Sequence, residues 1–429
     1  MIPNGWNYFV QRNVLLLQGP VGPFFGRLSR LLKDAGAKAV YKVNFNGGDW
    51  LFAPAGAFNY TGAESEWVSF LEFLLRDLQI DTIMLFGDCR CYHVAARNVA
   101  RARNLETWVF EEGYIRPDFV TMERDGTNGH SSLPRDANFY RNLPECELTP
   151  EREVGRVFGH LAVWAGLYGA AAMVGRMFFP HYRHHRPLSL REGGRWVRAG
   201  WRKIAYKVRE RGMVEYLVQR KTKAYFLVSL QTASDSQIRI HSRFASLDEF
   251  IEEVIRSFSC FCDARYDLVF KHHPLDRGHN DYGGVIGSGA AALGMAHRVA
   301  YIHDQHLPTL LEHAAGLILV NSTVGISGIH HGLPVKVLGE AIYDLDGLSF
   351  QGSLDDFWAG AGSFHPDMLL YRRFRSYVVD QTQLNGSFYT GHLARVAREE
   401  RRPEEGPGID NGRLTHQEIT LVPDLQDKG

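Results

Sequence analysis

The sequence predicts an α/β protein built from two parallel-sheet domains facing a cleft, with a helical, basic-aromatic insert between them. Three observations predict it. Short apolar runs alternate with helical patterns over residues 13 to 145, and the alternation resumes from about 224 to 350. Between these stretches the composition changes: Arg176 to Lys223 holds fourteen Arg or Lys against three Glu, in a chain of zero formal net charge. Finally, four polar clusters begin where apolar runs end, and open α/β sheets bind ligands beyond the carboxyl ends of their strands. A length of 429 residues exceeds one ordinary core and suits this division.

The elements follow in order. Val14-Leu15-Leu16-Leu17 is a strand that runs into Gln18-Gly19-Pro20-Val21-Gly22-Pro23. From Phe24 to Ala35 the residues Phe24, Leu28, Leu31 and Leu32 share one helical face, and Gly36 ends the helix. Ala39 to Val43 is the next strand, leading into Asn44-Phe45-Asn46-Gly47-Gly48-Asp49-Trp50. A helix over Trp67 to Leu78 precedes a strand at Thr82 to Phe86 and the loop Gly87-Asp88-Cys89-Arg90. The run Trp108-Val109-Phe110 completes the first series. Strand-helix-strand spacing of this kind implies parallel strands with right-handed crossovers. In the second series the strands are Tyr225 to Val228, Tyr266 to Phe270, Val299 to Ile302, Gly316 to Val320 and Val335 to Leu338. The partition expected is a first domain over 1–145, an insert over 146–223, a second domain over 224–390 and a polar, mobile tail over 391–429.

Composition narrows the classes. With 45% hydrophobic and 12% aromatic residues the chain can bury large cores. Zero net charge leaves no global field to recruit nucleic acid, and no nucleic-acid module surrounds the basic stretch. Five cysteines, with C-x-C rather than C-x-x-C pairs, fit neither a zinc site nor a secreted disulfide framework. The first residues lack a basic region followed by a long apolar core, so no signal peptide is read and a cytoplasmic location is expected.

The clusters carry the chemistry. Glu111-Glu112-Gly113 puts two carboxylates at a strand end, where one can take a proton from an acceptor hydroxyl. Gln231-Thr232-Ala233-Ser234-Asp235-Ser236-Gln237 can donate several hydrogen bonds to a sugar, with Gln231 and Gln237 at its ends. Asp235 suits either a nucleophile or an electrostatic stabiliser of an oxocarbenium ion. In Lys271-His272-His273-Pro274 a histidine can donate to a leaving phosphate while Lys271 neutralises charge. No acidic partner sits at metal-ligand spacing from the histidines, so no metal is expected. Asn321-Ser322-Thr323-Val324-Gly325 opens a helix, where small hydroxyl residues and backbone N–H groups suit a phosphate. Asn46, Asp49, Asp88 and Arg90 sit at strand ends of the first domain and are candidates for the acceptor side.

The insert begins with a nearly continuous apolar stretch from Leu161 to Phe179, broken by Arg176. It can be a membrane span, a buried helix, or the apolar half of an interfacial helix pair. The basic segment that follows, with Trp196, Trp201 and Tyr206, favours the interfacial pair, because clustered Arg and Lys with Trp suit an anionic leaflet.

Taken in this order, the clusters resemble bacterial sialyltransferase-like CMP-sugar transferases, with their acidic-acidic-Gly, His-Pro and Ser/Thr motifs. Longer segments resemble the KpsS/LipB branch of the capsule polysaccharide biosynthesis/export family: Leu17 to Phe25, Asn44 to Trp50, Phe110-Glu111-Glu112-Gly113-Tyr114-Ile115-Arg116-Pro117, Gln231 to Ile238, Phe270 to Asp276 and Val320 to Gly325. The resemblance covers most of residues 13 to 350. It implies a GT-B-like pair of Rossmann-like domains and a β-Kdo transferase. The implied donor is CMP-Kdo, and the implied acceptor a lysophosphatidylglycerol anchor that receives the first Kdo of a capsule linker. Glu111 or Glu112 then takes the acidic-motif role, His273 acts toward the CMP phosphate, and Ser322 and Thr323 bind phosphate. A β donor giving a β product means retention, hence a double displacement with Asp235 as nucleophile. Sialyltransferases invert as a rule, so their roles do not transfer whole, and the 146–223 insert has no counterpart among them. The implied partners are the cytoplasmic face of the inner membrane and other capsule assembly proteins, with no cofactor beyond the donor. The alternative is a non-catalytic component of capsule assembly and export that binds glycolipid.

Overall fold

Val14 and Leu16 pack into one apolar cluster and Leu15 and Leu17 into another, the two-residue alternation of a strand covered on both sides. The same split places Met84, Trp108 and Phe110 with the first cluster, and Ile83, Leu85 and Val109 with the second. A computed structural model describes residues 5–53, 56–145, 152–155, 157–182, 190–232, 236–390 and 393–394. The chain divides into two compact units, Met1–Ser132 with Pro144–Leu188 and Arg375–Gly429, and Leu133–Leu143 with Ser189–Phe374.

The first unit holds β1 (Asn13–Leu16), β2 (Ala39–Asn44), β3 (Phe58–Asn59), β4 (Thr82–Phe86), β5 (Glu106–Glu112) and β6 (Phe119–Arg124). Five of these run parallel in the order β3-β2-β1-β4-β5, and β6 returns antiparallel to β5. Helices Phe24–Asp34, Trp67–Asp77 and Cys91–Ala102 lie between successive strands. Because β1 is followed on one side by β2 and on the other by β4, the order reverses between β1 and β4. That reversal is where a doubly wound sheet opens a crevice.

The second unit repeats the plan with β7 (Tyr225–Ser229), β8 (Asp267–Lys271), β9 (Val299–Ile302), β10 (Gly316–Leu319) and β11 (Val335–Val337), all parallel in the order β11-β10-β7-β8-β9. Its reversal lies between β7 and β10. Phe226, Val228, Leu268, Phe270 and Ile318 form its core with Phe250, Ile251, Val254 and Phe258 of the helix Leu247–Phe261.

The unit boundaries differ from the sequence partition in three respects, the first being that Leu133–Leu143, expected in the first domain, falls in the second unit. Residues 375–390 return to the first unit, because β12 (Gln383–Gly386) pairs antiparallel with β6 and then with β13 (Leu393–Ala394). Phe388 completes this return by packing on Phe24 with ring centroids 4.8 Å apart. The 146–223 segment is not one body. Its apolar helix Phe158–Val174 belongs to the first unit, while Leu190–Arg209 and Met213–Arg220 belong to the second. Most of the 391–429 tail lies outside the described residues.

Candidate functional site

The first unit gathers its polar residues at the β1/β4 reversal. Beyond β1, Gln18 accepts a hydrogen bond from Arg90 Nη1 at 3.0 Å, so one side chain bridges the two strand ends. Gly87 adopts φ +74, a conformation open to glycine, and a Cβ there would lie 3.4 Å from Arg90 Nε and 3.5 Å from Glu111 Oε2. The arginine and the carboxylate thus approach the same glycine. Burial pushes the Glu111 carboxyl up to about 7, against a backbone hydrogen bond from Glu112 N (3.1 Å) and the Arg90 charge, which pull it down. Glu112 accepts instead from the Tyr389 hydroxyl at 3.1 Å. The two glutamates are therefore distinct: one sits near neutrality, the other is tied to a tyrosine.

The remaining first-unit candidates are held by neighbours. Asp88 is fully buried and accepts from Thr127 N, pairs with Arg97 at 3.4 Å and meets His130 Nδ1 at 3.0 Å. Asn46 caps the short helix Gly47–Leu51 by accepting from Gly48 N and Asp49 N. The buried Asp49 accepts from the Tyr168 hydroxyl at 2.9 Å and from Gln18 Nε2 and Phe45 N, each at 3.1 Å. Asn46 Nδ2 donates to the same Tyr168 oxygen, and Tyr182 bonds Gln18. These contacts dock the apolar helix Phe158–Val174 onto the unit. A Cβ on Gly47 would lie 2.1 Å from the Ala171 carbonyl oxygen, and one on Gly175 would lie 2.6 Å from Gly47 Cα. Backbone meets backbone here, which explains the Gly47-Gly48 pair.

In the second unit, Gln231 lies beyond β7 and Asn321 beyond β10. Gln231 Nε2 donates to Asn321 Oδ1 at 2.9 Å, and Asn321 N donates back to Gln231 Oε1 at 3.2 Å. Ser322 accepts from Val324 N, and its carbonyl accepts from the Tyr343 hydroxyl. Thr323 is the N-cap residue of the helix Val324–His330. Gly325 has a packing reason, since a Cβ there would meet the Tyr343 hydroxyl at 2.2 Å.

The two histidines after β8 differ. His272 is buried, with Nδ1 2.7 Å from the Tyr301 hydroxyl, and burial followed by the neighbouring His303 drives its pKa down to about 4. It is a neutral structural ring at pH 7. His273 is partly exposed and accepts from Leu275 N through Nδ1 at 3.2 Å. Lys271 is buried, and desolvation lowers its pKa. Asp235 and the side chain of Gln237 lie outside the described residues.

The capsule polysaccharide biosynthesis protein family matches residues 81–389. The "Capsule polysaccharide export protein KpsS" of Escherichia coli is 42% identical over 88% of this chain and 97% of its own length. The chain belongs to the capsule polysaccharide biosynthesis family. The "Capsule polysaccharide modification protein LipB" of Neisseria meningitidis serogroup A is 37% identical over 88% of this chain and 92% of its own. Among solved structures, Thermosulfurimonas dismutans KpsC, described as a "beta Kdo 2,7 transferase", is 14% identical with TM-score 0.39, covering 81% of this chain and 89% of that one.

In this capsule family member the sequence reading missed two networks. One is the Gln18, Asp49, Tyr168 and Tyr182 cluster, foreshadowed by the spacing of Tyr168, Ala171, Ala172 and Gly175 on one helical face. The other joins Glu210, His303 and Gln305. Glu210 accepts from His303 N at 3.0 Å and Gln305 Nε2 at 3.0 Å, with His303 Nδ1 2.6 Å away. No local pattern links residues so far apart.

Proposed function

We propose that this capsule family member is a glycosyltransferase of capsule polysaccharide synthesis, with CMP-Kdo as donor and lysophosphatidylglycerol as acceptor. The observation that carries the reading is Glu111: a carboxyl at the end of β5, beside Arg90, raised to about 7 by burial. A general base works best when its pKa lies near the working pH. Donor and acceptor classes rest on the motif resemblance; the relatives' names speak of capsule polysaccharide alone.

In the retaining reaction, the Asp235 carboxylate bonds to the anomeric carbon and CMP leaves, carrying the bonding pair on its phosphate oxygen. The acceptor hydroxyl then gives its proton to Glu111 and displaces Asp235 from the sugar. His273 donates to the departing phosphate, and Ser322 and Thr323 hold it with backbone N–H groups. Gln231, Asn321 and Gln237 are assigned to the donor. Arg90 is assigned to an acceptor phosphate, whereas Asp49, Asn46 and Asp88 serve as supports. Because CMP is a ready leaving group, the reaction is written without a metal or cofactor. The enzyme would act at the cytoplasmic membrane face with other capsule proteins.

The test is direct. Purified protein is incubated with CMP-Kdo and lysophosphatidylglycerol, and the lipid is weighed by mass spectrometry. A gain of one Kdo, lost in Glu111→Gln, supports the reading. Lipid binding with no product points to a glycolipid-binding component instead.

A further inference from the structure

Val197, Trp201, Ile204 and Val208 recur at spacings of four, three and four, which places them on one stripe of the helix Leu190–Arg209. In a soluble protein such a stripe faces the core. Here these side chains are 75%, 69%, 68% and 72% exposed. The opposite face is the one that packs. Arg198 Nε donates to the Gly278 carbonyl at 2.8 Å, and Arg202 Nη1 donates to the Arg277 carbonyl at 2.9 Å while its Nη2 lies 3.4 Å from Asp281. Gly278 permits this approach, because a Cβ there would lie 2.3 Å from the Arg195 carbonyl oxygen and 3.0 Å from Ala199 Cβ. Tyr206 stacks on His303 with centroids 3.5 Å apart. The polar side is thus fixed inward, and the helix cannot roll to bury its apolar stripe.

Charge says what covers the stripe. Lys203, Lys207, Arg209 and Arg211 are exposed beside it. The sequence of this helix holds seven Arg or Lys against a single carboxylate residue, Glu192, and Glu210, which follows, is turned onto His303. Apolar side chains flanked by cations match the boundary between headgroups and acyl chains of an anionic leaflet.

We propose that the Val197, Trp201, Ile204 and Val208 face docks this protein onto an anionic lipid surface. It rests on the reading above only for why a lipid acceptor calls for such a surface. The helix bears through Arg198 and Arg202 on residues 277–281, which follow His273, so docking also sets how the proposed donor loop is presented to the membrane.

Flotation with vesicles of phosphatidylglycerol and phosphatidylcholine tests it, without donor present, so that a binding failure and a transfer failure are separate results. The wild-type chain should float with the anionic vesicles. Trp201→Glu with Val208→Glu should reduce the bound fraction by about tenfold or more. Lys203→Glu with Lys207→Glu should weaken binding to anionic vesicles, and added salt should weaken the wild type likewise. All four positions are exposed, so melting temperatures should stay within a few degrees and show that the variants fold. Wild-type protein that does not float overturns the proposal, as does a Trp201→Glu, Val208→Glu variant that floats unchanged. So does loss of flotation on Val163→Glu alone, which would move docking to the helix Phe158–Val174. A wild-type dimer that becomes monomeric in the double variant, with no vesicle binding, makes the stripe an interface between copies and also overturns it.

Discussion

Gln231 and Asn321 hold each other across the reversal of the second sheet, exchanging bonds of 2.9 and 3.2 Å between the ends of β7 and β10. The first sheet uses the same device. Gln18 stands two residues past the end of β1 and bonds Arg90 beyond β4, just as Gln231 stands two residues past the end of β7. A glutamine suits the place because its amide both donates and accepts, satisfying partners on two strands at once. Each unit therefore closes its reversal with a glutamine amide, paired with the Asn321 amide in the second sheet and with the Arg90 guanidinium in the first.

The bridge gives the first prediction. Gln231→Ala and Asn321→Ala should each cost about 1–2 kcal/mol of stability, since the first removes both bonds of the exchange and the second removes the one to Asn321 Oδ1. The double variant should lose less than the sum, by roughly 0.5–2 kcal/mol. Urea unfolding of the four proteins measures both quantities; strict additivity would mean the two side chains do not act as a pair.

Glu111 gives the second. Its raised pKa means that the folded state holds the proton through the window between the ordinary value of 4.5 and about 7, while the unfolded chain has released it. The carboxyl therefore costs stability as pH rises through that window, and the cost is complete above about 7. Glu111→Gln should raise stability at pH 8 by roughly 1–3 kcal/mol and leave it almost unchanged at pH 4. Transfer should fall by about 10²-fold or more, and the wild-type rate should climb with pH through about 7 as the base is freed. Paired melting curves and a pH–rate profile check both halves.

Local pattern made the sheets legible. Thr82 to Phe86 and Val299 to Ile302 are strands with the boundaries that their apolar runs suggest; the first lies inside its sheet and is buried, while the second is an edge strand in which Ile302 alone is fully buried. Glu111 was legible as a candidate by its place after such a run. Its advantage over Glu112 was not, since that depends on Tyr389, 277 residues away, accepting the role of partner. The return of β12 was hidden for a similar reason: Gln383-Leu384-Asn385-Gly386 carries no β pattern of its own and is held by pairing with β6. Asp49 and Asn46 read as binding residues because polar groups at strand ends usually are. Only the position of Tyr168, far along the chain, shows that they hold a helix.

That helix gives the third prediction. Gly175→Ala must push the Phe158–Val174 helix away from Gly47, and should cost about 1–3 kcal/mol. Tyr168→Phe removes the donor to Asp49 and leaves a buried carboxylate short of a partner, at a similar cost of about 1–3 kcal/mol. Thermal unfolding measures the loss, and amide exchange should rise first in residues 158–174. An unchanged exchange pattern in both variants would mean that these contacts do not anchor the helix.

Glu210 gives the last. Burial acts to raise its carboxyl pKa, but hydrogen bonds from the His303 ring, Gln305 and the His303 backbone outweigh that and hold it below the ordinary 4.5. A depressed carboxyl lends stability that is fully present above the unfolded value and lost as pH falls through the folded one. Glu210 directly follows the helix Leu190–Arg209, and its partner His303 stacks against Tyr206 of that helix, so the helix should loosen first on acidification. At pH 7, Glu210→Gln should cost about 1–3 kcal/mol, because an amide cannot accept all the bonds the carboxylate does. As pH drops below about 4.5 the wild type should converge on the variant, since protonation makes the two side chains alike. Urea unfolding of both proteins across pH 3 to 7 measures the convergence, and a gap independent of pH would show that the carboxylate's charge is not what holds the end of the helix.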